Sequence, residues 1–189
     1  AGNVGSAEVT FTVDTTPPTL TINPVSTPTN VNSQTITGTR ESGATISVSV
    51  NTTATVGTVT YPTTTTWSCA ISNLASGANN ITVTATDGVG NTATATKNIV
   101  YDSTPPALTI DTLTTPTKSI PQTIGGTRED GASIIVSVNT TAAVGTINYP
   151  TMTTWSCTIS NLVAGTNNIT VTATDAANNS ATATSSITV

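Results

Sequence analysis

Apolar and polar residues alternate with a period of two through most of this chain. The runs "ISVSV", "ITVTAT" and "TATATKNIV" show it most cleanly. A period of two places successive side chains on opposite faces of a strand, and no segment carries the 3.6-residue period of an amphipathic helix. The clusters "SGA", "SGANN" and "DGVGN" separate the runs and mark turns. The pattern predicts seven strands: A near Thr19–Asn23, B near Gln34–Thr39, C near Thr45–Val50, D near Gly57–Tyr61, E near Trp67–Ile71, F near Asn80–Thr86 and G near Thr92–Val100. Ile46, Val48 and Val50 are expected to face a core, with Ser47 and Ser49 outward.

The whole pattern then recurs. A shift of 88 residues superposes the chain on itself without a gap: "GTRESGATISVSVNTTATVGTVTYPT" matches "GTREDGASIIVSVNTTAAVGTINYPT", and "TWSCAISNL" matches "TWSCTISNL". A unit of that length suits an independent domain rather than a solenoid turn. Residues 1–13 parallel the end of a unit, so the expected division is a final strand of a preceding repeat (1–13), a first domain (14–101) and a second (102–189), a window on a longer array. A strand donated to another subunit is the alternative for residues 1–13. Seven short strands with regular turns indicate an all-β fold, tandem immunoglobulin-like β-sandwiches arranged as a rod.

Composition narrows the chemistry. Only 7% of the 189 residues are charged, the net charge is -5, and histidine is absent. The commonest general base and metal ligand are therefore missing, and no nucleophile–base pair or cofactor loop is visible, which argues against an enzyme. Arg40, Lys97, Lys118 and Arg128 are the only basic residues and make no patch, so no nucleic-acid partner is expected. No apolar run has the length of a membrane span. Cys69 and Cys157 occupy equivalent positions in separate domains. They are expected to be free buried thiols, packed beside Trp67 and Trp155. Sequons at Asn51, Asn80, Asn139, Asn168 and Asn178 permit glycosylation in a competent host.

The carboxylates are placed systematically. Asp14, Glu41 and Asp87 recur as Asp102, Glu129 and Asp175. If strands alternate up and down, the start of A, the B–C loop and the F–G loop bring each triple to one pole of its sandwich. Two readings stand. Converging carboxylates, with amide oxygens from Asn91 or Asn179, suit a hard cation such as Ca²⁺. Alternatively, each aspartate caps a turn and Arg40 or Arg128 pairs with an aspartate.

The segments "DTTPPTLTI", "GTRESGATISVSV" and "TWSCAISNLASGANNITVTATDGVGNTA" resemble the tandem Ig-like domains of large bacterial extracellular and surface proteins. That resemblance implies a cell-surface location and a structural role as a repeated spacer in a rod, filament or adhesin stalk. Its partners would be adjacent repeats and other copies in a filament. Its alternative is an adhesive or carbohydrate-binding module. In several adhesins of this type Ca²⁺ stiffens domain junctions, and the matching positions here are Asp102, Glu129 and Asp175 with Asp14, Glu41 and Asp87. The arginine before Glu41 and Glu129 departs from the usual small residue.

Overall fold

The computed structural model describes residues 8–189, and its regular structure is all β. The first repeat contains β1 (Gln34–Thr39), β2 (Thr45–Val50), β3 (Thr55–Val56), β4 (Thr60–Thr63), β5 (Thr66–Ser72), β6 (Gly77–Thr86) and β7 (Thr92–Tyr101). The second repeats them as β8 (Gln122–Thr127), β9 (Ser133–Val138), β10 (Ala143–Val144), β11 (Asn148–Thr151), β12 (Thr154–Ser160), β13 (Thr166–Thr174) and β14 (Ser180–Thr188). By backbone contacts the chain divides into two compact units. The first holds residues up to Val25, Ser33–Ala75 and Asn79–Asn98, and the second Ser26–Asn32, Ser76–Ala78 and Ile99–Val189.

Within a repeat, β5 is the centre of one antiparallel sheet, with β1 on one side and β3 and β4 on the other. The second sheet has β6 between β2 and β7. The inner faces supply the core. Ile36, Trp67, Cys69 and Ile71 come from the first sheet, and Ile46, Ile81, Val83, Ala85 and Ile99 from the second. The alternation dictates this: every second residue of β5 and β6 is buried, and Ser47 and Ser49 face solvent as expected. Both cysteines are free and buried, and burial pushes their thiols above the usual range.

Two strands differ from the pattern. Segment A is not a continuous strand. Leu20 bridges Arg40, the amides of Thr21 and Asn23 donate to the carbonyls of Thr39 and Thr37, and the chain then crosses so that Thr29 bridges Tyr101 in parallel. The return bond from Thr39 N–H goes to the Thr21 hydroxyl instead of a carbonyl. Strand D is split into β3 and β4, with a register irregularity between Thr60 and Thr63. Pro62 lies there and has no N–H to give a ladder. Of the N-terminal strand expected at 1–13, residues 1–7 lie outside the described residues. Residues 8–13 are exposed and form no strand.

A buried amide ties down the turn before β6. Asn79 is fully buried; its Oδ1 accepts from Ala75 N–H and the Thr52 hydroxyl, and its Nδ2 donates to the Ala75 carbonyl. Asn167 does the same in the second repeat. Such a group costs stability if unpaired and specifies one loop conformation when satisfied.

Candidate functional site: the carboxylate pole

At the start of segment A, Asp14 Oδ1 accepts the Thr16 N–H at 2.9 Å, and Asp102 accepts Thr104 N–H at the same distance. These are the turns that carry the chain into each proline pair. The loop between β6 and β7 is organised by Asp87. Its Oδ1 accepts the backbone N–H groups of Val89, Gly90 and Asn91 at 2.9, 2.7 and 2.8 Å, and its Oδ2 accepts the Asn91 side-chain amide at 2.7 Å. Burial, which alone would raise its pKa, is outweighed by these donors. Asn91's amide and the three backbone N–H groups hold the Asp87 carboxyl below the usual carboxylate range.

The same Asn91 amide donates to the Asp14 carbonyl at 3.1 Å, so it bridges the loop and segment A. In the second repeat Asn179 donates to the Asp102 carbonyl and to Asp175 Oδ2, both at 2.9 Å. Both partners are acceptors, so the amide must present its nitrogen to them. This is the opposite polarity from the oxygen ligand expected of Asn91 and Asn179.

Glu41 reaches the pole through its backbone. Its N–H donates to the Thr19 carbonyl, and its carbonyl accepts Ala44 N–H across a turn in which Gly43 has φ +87°. Glu129, Ala107, Ala132 and Gly131 repeat this arrangement. Both glutamates are exposed. The three segments therefore do meet at one end of each sandwich, as the strand order requires. Yet among the described residues no three Asp, Glu, Cys or His side chains form a group able to hold a metal ion. Asp87 and Asp175 direct both carboxylate oxygens at N–H donors of their own loops.

Among the described residues the arginines pair with no aspartate. Arg40 Nη1 donates to the Ala44 carbonyl and at 3.4 Å to that of Glu41, while its guanidinium lies 4.2 Å from the Tyr61 ring centre. Arg128 stacks on Tyr149 at the same distance and donates to Ala132 and Glu129 carbonyls at 2.6 and 3.3 Å. Each tyrosine hydroxyl in turn accepts an amide from the neighbouring edge strand, Ile46 N–H or Ile134 N–H. Arginine thus clamps the turn between β1 and β2 through stacking and carbonyl bonds. This role of Tyr61 and Tyr149 was not legible from composition or spacing. The 21-residue spacing from Arg40 to Tyr61 and from Arg128 to Tyr149 carries no local signal.

Residues 17–102 match the model of the bacterial Ig domain family, which spans nearly all of the first repeat. The first repeat therefore resembles a bacterial Ig domain, and the second carries the same sequence pattern. No curated protein matches the chain. Among solved structures, fibronectin(III)-like modules of Clostridium thermocellum CbhA are similar over 90% of this chain and 94% of theirs, at 16% identity and a TM-score of 0.52. Yersinia pseudotuberculosis InvD is 21% identical over 94% of this chain, with a TM-score of 0.43. The chain spans 58% of the InvD structure's length. Invasin, a bacterial integrin-binding protein, aligns over 91% of this chain and 39% of its own at 16% identity and a TM-score of 0.44. No helix among the described residues is long and apolar enough to cross a membrane.

Proposed function

We propose that the chain is a stretch of structural repeats in a bacterial surface protein, spacing or presenting other parts of that protein. The observation that carries this reading is the repetition itself: two near-identical sandwiches, each closed by the same Asp–Asn and Arg–Tyr clamps. Nothing in their shared residues pairs a nucleophile with a base, which fits a role without catalysis. The likeness to InvD, named from Yersinia, and to invasin agrees with a location at the cell surface. Segment A supports a short joint: Asp102 is fixed within the second unit at both its carboxylate and its carbonyl. Pro105 and Pro106 follow and restrict the backbone further.

Small-angle X-ray scattering of this chain tests the spacer. An extended particle, with its longest dimension about twice that of one domain, is expected. A particle folded back on itself would overturn the reading. Hydrogen bonds, rather than Ca²⁺, are taken to close the poles at Asp14, Glu41, Asp87, Asp102, Glu129 and Asp175. The scattering curve and the melting temperature are therefore expected to be the same in EDTA and in millimolar calcium. A rise of several degrees with calcium would restore the cation site.

A further inference from the structure

The two repeats differ in a coupled way at one place on the outer face of the sheet built around β5 or β12. In the first repeat Asn23 and Thr37 face each other across segment A and β1, and the Asn23 amide donates to the Thr37 hydroxyl at 2.8 Å. In the second repeat the equivalents are Asp111 and Gly125. Both members of the pair have changed, and the side chain that filled the position is gone.

A hollow of about 390 Å³ opens where Thr37 sits in the first repeat. That volume falls within the ~300–1,000 Å³ usual for small-molecule sites. Gly125 forms its floor. A Cβ on Gly125 would lie 2.8 Å from the Trp155 carbonyl oxygen, so the backbone here leaves no room for a side chain, and Asp111 Oδ2 and the Ser156 Cβ lie 3.7 and 3.5 Å from the same point. Thr123, Thr127 and Thr154 line it, and Pro150 of β11 adds an apolar edge. No lysine or arginine lines it, so the Asp111 charge has no cationic partner there.

We propose that this notch in the second repeat binds a sugar carrying a protonated amine, a hexosamine-type pyranose, and that the first repeat lacks the site. The carboxylate matches the ammonium and makes a charge-assisted hydrogen bond. The hydroxyls of Ser156 and Thr123 match sugar hydroxyls, while those of Thr127 and Thr154 bond Thr109 and Thr151. The glycine floor lets a flat ring approach the sheet closely. A lysine side chain would use the charge but leave most of those hydroxyls without a partner. The site adds a binding function to the second repeat and does not depend on the spacer reading.

The test is a titration of the two-repeat chain with glucosamine, followed by amide NMR at a mildly acidic pH. Saturable shifts in the millimolar range are expected at Asp111, Gly125 and Ser156, with none at Asn23, Thr37 and Ser68. Asp111→Asn is expected to weaken binding about tenfold or more through loss of the charge. The reciprocal pair Asn23→Asp with Thr37→Gly should create a site in the first repeat. Equal shifts in both repeats, or an unaltered response in Asp111→Asn, would overturn the proposal. So would equal binding of the neutral N-acetylglucosamine, or tighter binding of oligolysine, which would make the notch a peptide site.

Discussion

Asp87 is the residue whose chemistry is most exposed to solution conditions. Its pKa is lowered in the folded state, so the ionised form stabilises the fold. That contribution is present above the unfolded value near 3.8 and is lost as pH falls through the lower folded value. Thermal melts of the wild type should therefore weaken below about pH 4, and Asp87→Asn should melt lower at neutral pH with a flatter acid limb. An unchanged acid limb in that variant would show that the three backbone donors matter little. The recurrence of Asp14, Asp87 and Asn91 with their equivalents was legible in the sequence. Their polarity was not, because spacing does not reveal whether an asparagine turns its oxygen or its nitrogen toward a neighbour. Asn79 and Asn80 make the same point: adjacent in "SGANN", one is buried and the other exposed.

At the scale of elements, the clearest constraint lies where segment A crosses β1. A Cβ on Gly38 would collide with the Thr21 carbonyl oxygen and would lie 2.7 Å from the Trp67 indole nitrogen, which donates to that same carbonyl at 3.2 Å. Gly126, Thr109 and Trp155 repeat the contact. The glycine is there because backbone and indole both need its space. Gly38→Ala is expected to cost about 1–3 kcal/mol or more in urea unfolding. Gly88→Ala, which meets nothing within 4 Å, should stay within about 1 kcal/mol of the wild type. Strands B, C, E, F and G were legible because their alternation is set by a buried face. Segment A and strand D were not, because prolines remove the amides that a regular ladder needs.

On the scale of the whole molecule, the scarcity of charge governs access by proteases. Of the four basic residues, Arg40 and Arg128 are held in stacks on tyrosine and Lys97 lies within β7. Lys118 is exposed in the loop before β8. Limited tryptic digestion, read by mass spectrometry, is expected to cut first after Lys118 and to leave the other three positions intact. Early cleavage after Arg40 or Arg128 would mean that the clamps open readily. The repeat length was visible without coordinates. The notch beside Gly125 was not, since the spacing does not reveal what stands around a glycine in a strand.

The parallel bridge between Thr29 and Tyr101, echoed where Thr117 N–H donates to the Thr188 carbonyl, bears on how a repeat responds to tension. In a parallel pair, a pull on the early segment toward its N-terminus and on the last strand toward its C-terminus drives the two past each other lengthwise. The bonds that join them are then loaded together in shear, not opened one after another like a zipper. Under force the lifetime of a fold is set by its unfolding rate. The short stretch at Thr27–Thr29, too small to count as a strand, is therefore the part of the sandwich that would bear the load first.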